Sequence, residues 1–400
     1  MSVPELRFPE FEGEWDEFKL KEISTEIKRT SENVNEDVLT ISASVGFISQ
    51  KERWNKVIAG NSLKKYVLLK KNEFSYNRGN SKLFPYGCIY RLKNHDSALV
   101  PNVYRSFSLN GQNPLFFEQY FIGGYIDRQL RRIISSSARM DGLLNISKSD
   151  FFDVKIKAPK IDEQAKIGFF LAKVDEKIEK LEKKLELWEA YKKGMMQKIF
   201  SQELRFKDEN GEDYPDWEEK KLTETGKIVT GNTPSTKNKE YYHEGTYLWV
   251  TPTDISSSKY IKSTERKLSD AGIKKARIVS KNSVLITCIA SIGKNCIITE
   301  NGSFNQQINA ITPKKEFSHE FMYYIIDKNS EKLKKFAGIT ATPILNKKSF
   351  ENMKFEFPCL DEQIKISNSL SSLDNKLGYL NGEIQINYNF KKGLLQKMFC

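Results

Sequence analysis

The sequence predicts an α+β protein with a pseudo-two-fold internal repeat: two globular α+β domains separated by two long helices packed as an antiparallel coiled coil. Three observations predict it. Two sequence blocks recur at one shared offset, a seven-residue apolar rhythm follows the first block each time, and the positive charge falls between the blocks. Four hundred residues suffice for two to three domains, and 39% hydrophobic with 29% charged residues suits a globular chain.

The repeat comes first. Pro159-Lys-Ile-Asp-Glu-Gln164 returns as Pro358-Cys-Leu-Asp-Glu-Gln363, and Lys192-Lys-Gly-Met-Met-Gln-Lys-Ile-Phe200 returns as Lys391-Lys-Gly-Leu-Leu-Gln-Lys-Met-Phe399, both 199 residues later. Glu5-Leu-Arg-Phe8 and Glu203-Leu-Arg-Phe206 open the halves, followed by Trp15 and Trp217. Between these anchors the halves diverge, so one frame carries two different inserts. The expected divisions are a first domain over 1–161, a spacer helix over 162–200, a second domain over 201–360 with an acidic linker at 201–222, and a second spacer helix over 361–400.

The spacers read as helices. Ile167, Leu171, Val174, Ile178, Leu181, Leu185 and Trp188 are spaced by alternating fours and threes, as are Ile366, Leu370, Leu373, Leu377, Leu380 and Ile384. That is the seam of a coiled coil. Asp162 and Asp361 suit N-caps. Asn387 stands where the first copy has Trp188, and Gly378 and Gly382 weaken the second helix. At 1.5 Å per residue each spacer is about 58 Å long.

The inserts read as mixed α and β. Gly87–Leu92, Val284–Ile292, Cys296–Thr299 and Ile308–Ile311 resemble strands; Leu115–Ile134, bearing Arg128, Arg131 and Arg132, and Phe321–Phe336 resemble helices. The chain carries +12. The spacers hold +1 each and the openings 1–23 and 201–222 hold −4 each, whereas 24–161 holds +10 and 223–360 holds +8. A positive excess confined to two dissimilar modules is the footprint of nucleic-acid binding.

Polar loops supply candidate contacts. Tyr76, Asn77, Arg78, Asn80 and Lys82 surround a turn glycine in the first insert; Arg and Asn suit base edges, Lys suits phosphate. In the second insert the candidates are Thr233, Ser235 and Lys237, then Thr253 and Asp254, then Lys294, then Asn305 and Gln306. Asp254 has two readings, an acceptor for cytosine or the cap of a turn. Hydrogen bonding inside the domain is the competing role for the Asn/Gln cluster.

Other classes are disfavoured. There is no Asn/Asp-Pro-Pro-Tyr/Phe loop of an adenine methyltransferase, no Walker pattern, and only three distant histidines, His95, His243 and His319. No catalytic residue and no metal ligand is singled out. Cys88, Cys288, Cys296, Cys359 and Cys400 show no framework spacing, and Met1-Ser2-Val3-Pro4-Glu5 is no secretory signal, so a reducing cytoplasm is expected. A coiled-coil adaptor remains an alternative.

The ordered motifs resemble the specificity subunits of type I restriction–modification systems. The resemblance spans nearly the whole chain: two inserts, each followed by a Pro-x-x-Asp-Glu-Gln helix ending in a Lys-Lys-Gly-Leu-Leu-Gln-Lys-Met-Phe-like tail. It implies that each insert is a target-recognition domain for one half of an asymmetric bipartite site in double-stranded DNA. It also implies that the helices set the gap and dock two methyltransferase subunits, with restriction (motor–nuclease) subunits joining afterwards. S-adenosylmethionine, ATP and Mg would sit on those partners. Lys192, Lys193, Gln197, Lys391, Lys392 and Gln396 would be partner surface or inter-helix contacts.

Overall fold

The computed structural model describes residues 3–31, 36–54, 60–79, 84–134, 143–256, 258–337 and 343–400. Two compact units emerge: Met1–Lys183 with Asn381–Cys400, and Lys184–Leu380. The unit boundaries fall midway along the two long helices, Ile161–Phe200 and Leu360–Met398, so each helix belongs to both units.

The second unit holds a five-stranded sheet in the order Gly226–Thr230, Ile308–Pro313, Val284–Thr287, Asn295–Ile298 and Tyr260–Ile261. The first four strands pair antiparallel and the last joins in parallel. The first unit repeats that antiparallel core: Ser24–Glu26, Arg105–Leu109, Phe74–Asn77 and Cys88–Arg91. The second unit adds a four-stranded sheet around the parallel pair Tyr247–Val250 and Gly302–Phe304. Alternating apolar residues seal these layers: Val284, Ile286 and Ile311 bury on one side, Leu285, Cys296 and Ala310 on the other.

The repeated anchors turn out to be one clamp used twice. Glu163 accepts a two-pronged bond from Arg7 (2.8 and 2.7 Å) and a longer one from Trp15 Nε1 (3.4 Å). Glu362 does the same with Arg205 (3.2 and 2.8 Å) and Trp217 (3.1 Å). Gln164 and Gln363 each donate to the carbonyl of the block's proline, Pro159 and Pro358. Both glutamates and both glutamines are buried, so the Asp-Glu-Gln motif fastens the opening segment to the long helix. Asp162 and Asp361 are not N-caps as expected: the helices begin one residue earlier, placing these carboxylates in the first turn, where the helix dipole favours them.

The tails are the other half of the frame. In the first unit Phe399 packs against Trp15, Phe116 and Tyr125, and the Tyr125 hydroxyl donates to Leu395 O. In the second unit Phe200 meets Trp217 and Phe321. Each unit therefore contains the start of one long helix and the end of the other. Asp175 pairs with Lys391 (2.5 Å) and Glu182 with Tyr388 (2.6 Å); Asp374 pairs with Lys192 (2.5 Å), and Lys376 lies 5.9 Å over the Trp188 ring. As one number rises its partner's falls, so within each unit the helices run antiparallel. Lys192 and Lys391 are thus inter-helix residues, while Lys193, Gln197, Lys392 and Gln396 are exposed.

The seam differs from a pure helix–helix stripe. Ile167, Leu171, Val174 and Ile178 bury in the first unit's globular core, and Ile366 and Leu370 in the second's. Leu181, Leu185, Trp188, Leu373 and Leu377 are half-buried, whereas Leu380 and Ile384 are buried. Two expected helices are interrupted. Leu115–Ile134 becomes Pro114–Ile122 and Asp127–Ile133, because Gly124 turns at φ +72°. Phe321–Phe336 becomes His319–Lys328 and Ser330–Phe336, broken at Asn329, whose side chain turns back to Ile325 O (2.8 Å). The strand expected over Val284–Ile292 stops at Thr287, where the chain reverses.

Candidate nucleic-acid interface

In the second unit, four polar loops singled out by sequence gather at one end of the sheets. They follow strand ends at Thr230, Val250, Phe304 and Thr287. Backbone bonds tie them together: Asn232 N to Phe304 O (3.0 Å), Asn305 N to Val250 O (2.9 Å) and Cys288 N to Gln307 O (2.8 Å). The Thr233 hydroxyl donates to Gln306 Oε1, joining two motifs 73 residues apart. Gly231 makes this approach possible, since a Cβ there would stand 2.3 Å from the carbonyls of Phe304 and Asn305.

The individual residues divide into surface and scaffold. Ser235, Lys237, Thr253, Lys294 and Gln306 are exposed, and Thr233 is half-buried. Asp254 caps its own turn: Oδ2 accepts from Thr251 N (2.8 Å) and Oγ1 (2.6 Å), and Oδ1 from Glu265 N (2.9 Å). Asn305 is buried, exchanging bonds with Gln307 N and Oε1, both 3.0 Å. Geometry thus gives Asp254 and Asn305 the internal role that sequence held as the alternative.

Sequence reasoning missed three cations here. Lys274, Lys275 and Arg277 are exposed beside the first loop, where Asn232 accepts from Arg277 N (2.7 Å) and donates to Lys275 O (2.8 Å). Arg277 also donates to Thr230 O (2.8 Å). The available signal was the Lys-Lys-Ala-Arg run itself.

In the first unit Tyr76 is not a surface aromatic. Its ring is fully buried, stacked 4.6 Å from Phe151, and its hydroxyl donates to Tyr86 O (2.7 Å); burial pushes the phenol well above its ordinary pKa. Asn77 turns the chain by accepting from Gly79 N (2.9 Å). Arg78 follows it, and Asn80 and Lys82 lie outside the described residues. Arg128, Arg131 and Arg132 are exposed on their short helix. Arg105, across the sheet from Tyr76, went unnoticed because a lone arginine opening a strand carries no pattern.

Among the described residues no group of three or more His, Cys, Asp or Glu side chains is placed to hold a metal, and no helix is long and apolar enough to cross a membrane. All five cysteines are free.

The loops at this sheet end are basic and rich in hydroxyl and amide groups, the side chains that suit nucleic-acid contacts. Residues 214–387 match the family model described as the type I restriction modification DNA specificity domain. A 183-residue stretch is 33% identical to the MjaIX specificity subunit of Methanocaldococcus jannaschii, covering 44% of this chain and 42% of that one. Another, of 147 residues, is 34% identical to the HindI specificity subunit of Haemophilus influenzae, covering 36% and 32%. The chain thus spans less than half the length of these curated relatives. In fold it resembles the type I restriction–modification S subunit from M. genitalium, with TM-score 0.62 at 15% identity over 100% of this chain and 99% of that one. A second likeness, TM-score 0.53 at 16% identity over 96% and 97%, is to a structure described as underlying complex assembly and conformational transition of the type I R-M system. Over residues 214–387 the chain is thus similar to type I restriction–modification specificity subunits, and over its whole length it shares the fold of a solved S subunit.

Proposed function

We propose that this chain reads an asymmetric, split DNA sequence, one half through each unit, and directs methyltransferase and restriction subunits to it without catalysis of its own. The observation that carries this reading is the loop end of the two units: one frame, with the same Glu–Arg–Trp and Gln–Pro bonds in each, presents different polar and basic groups at the same place. A shared frame accounts for a common mode of docking, and different side chains account for different bases. In this reading the gap between half-sites is about one helical turn, roughly 34–36 Å. S-adenosylmethionine, ATP and Mg belong to the partner subunits, and the assembly works in the cytoplasm.

A second repetition supports partner docking. Leu187 and Tyr191 on the first long helix, and Ile386 and Phe390 on the second, are large exposed apolar residues at equivalent positions. Gly194 and Gly393 follow three residues later, and a Cβ at either would meet nothing within 4 Å. Among the described residues no contact requires glycine there, although each costs its helix about 1 kcal/mol relative to alanine. A repeated apolar face ending in glycine suits close approach of the same helical partner twice, which fits two methyltransferase subunits.

The test is methylation mapping in cells that express this chain with a matching type I methyltransferase subunit. A split adenine-methylated motif that disappears without this chain is the expected result. A stable complex that methylates no split motif would refute the reading.

A further inference from the structure

The loop end of the first unit contains a feature the second lacks. Equivalent positions can be identified from the hydrogen bonding of each unit. Leu144 N donates to Arg78 O and Leu345 N to Cys288 O, both 2.9 Å; Gly79 bridges Leu143 as Ile289 bridges Ile344. Arg78 therefore occupies the place of Cys288. Arg105 faces Tyr76 across the sheet as Asn309 faces Ile286, so Arg105 takes the place of Asn309.

In the second unit this pair is closed and neutral. Asn309 Nδ2 donates to Cys288 Sγ (3.2 Å), and its Oδ1 accepts from Thr230 Oγ1 (2.6 Å). In the first unit the pair is two guanidiniums. Arg105 spends one nitrogen on Ile146 O and sits 5.8 Å over the Phe151 ring. The Nε atoms of both Arg78 and Arg105 are buried without a hydrogen-bond partner, and among the described residues neither arginine has an ion pair. Burial first, and then the positive charge of Arg78, hold the Arg105 guanidinium below its ordinary pKa. Two half-buried like charges with unused donors are unfavourable until an anion joins them.

We infer that Arg78 and Arg105 form a two-arginine clamp for one backbone phosphate of the DNA read by the first unit. This rests on the DNA-recognition reading above. Guanidinium forks match phosphate oxygens, and a phosphate brings the net negative charge that the pair lacks. A guanine edge would satisfy donors but offset neither charge. The clamp positions the first unit on its half-site without choosing the bases.

Arg78→Gln carries the test, because among the described residues the Arg78 side chain has no hydrogen bond or ion pair that folding would miss; Arg105→Gln is the second variant, checked by its melting curve. Binding of the full-length chain to a mixed-sequence DNA duplex is followed by fluorescence anisotropy over a range of salt concentrations. The slope of log affinity against log salt should fall by about 1 in Arg78→Gln, and the double variant should fall no further, since both arginines hold one phosphate. The methylated motif, mapped with the partner subunit, should keep its first half-site. An unchanged slope in Arg78→Gln, with the wild type binding normally, would overturn the clamp alone, and so would an altered first half-site. A wild-type chain without salt-dependent duplex binding would remove the DNA reading and the clamp with it.

Discussion

The two units differ least where they touch the long helices and most at the loop end. Glu163 and Glu362 hold the same Arg and Trp partners, and Phe399 and Phe200 fill the same kind of aromatic nest. At the loop end, Arg78 and Arg105 keep buried donors unpaired, whereas Cys288 and Asn309 bond to each other. The difference teaches where each kind of constraint lies. A buried carboxylate with two partners tolerates no change in any of the three, because each would leave the others unsatisfied. A loop end that meets an external ligand is constrained by that ligand, and two ligands allow two chemistries.

The clamp equivalence can be broken most forcefully at its carboxylates. The side chains of Glu163 and Glu362 are 3% and 0% exposed, and their arginines are 13% and 22% exposed. Removing either carboxylate leaves a part-buried guanidinium with its backbone-carbonyl bonds but without its buried carboxylate, and an indole N–H without its acceptor. Glu163→Ala and Glu362→Ala should each destabilise their own unit by about 3 kcal/mol, read by urea denaturation with hydrogen exchange to locate the opening. Equal losses sustain the equivalence. A silent Glu163→Ala would mean that the first opening segment is held mainly by Phe8 and Trp15 packing.

The next comparison separates a seal from a clamp. Asn309→Ala removes both bonds of a buried amide and leaves the Thr230 hydroxyl to find another partner. It should cost about 1–2 kcal/mol and leave the salt dependence of DNA binding unchanged. Arg78→Gln should do the reverse. If Asn309→Ala lowers the salt slope, the Cys288–Asn309 pair is part of the DNA surface and not a seal.

How much of this was legible in the sequence follows the same division. The frame was readable because it is written twice: the Asp-Glu-Gln and Lys-Lys-Gly blocks announced the helices, and the three-four apolar spacing gave their buried face. What the blocks do was not readable. Nothing local says that Glu163 reaches back 156 residues to Arg7, since that bond exists only after folding. The loop candidates of the second unit lie together, because loops after strands on one sheet end converge by topology. Side-chain fate was lost within them: Asp254 and Asn305 have the composition of base readers and the geometry of turn formers. Tyr76 failed for a related reason. It lies inside the strand Phe74–Asn77, on the same inward face as Phe74, and an aromatic beside Asn-Arg-Gly looks like a surface residue only while that strand is unseen.

The smallest expected effects concern glycines, which the two long helices use differently. Gly378 and Gly382 were expected to weaken the second helix; Leu360–Met398 runs through both without a break, and a Cβ at either position would meet nothing within 4 Å. Gly168 on the first helix is the opposite case: a Cβ there would lie 2.6 Å from Phe116 N and 2.9 Å from Leu115 Cβ, so glycine is what lets the Pro114–Ile122 helix approach. Alanine at 378 or 382 should therefore stabilise the chain by about 0.5–1 kcal/mol through helix propensity, whereas Gly168→Ala should destabilise it, both read from urea midpoints at unchanged m-value. Unchanged stability in Gly378→Ala and Gly382→Ala would show that this stretch of helix opens before the global transition. Reduced methyltransferase binding in the same variants, with stability raised, would instead extend the partner face from Ile386 and Phe390 back along the helix.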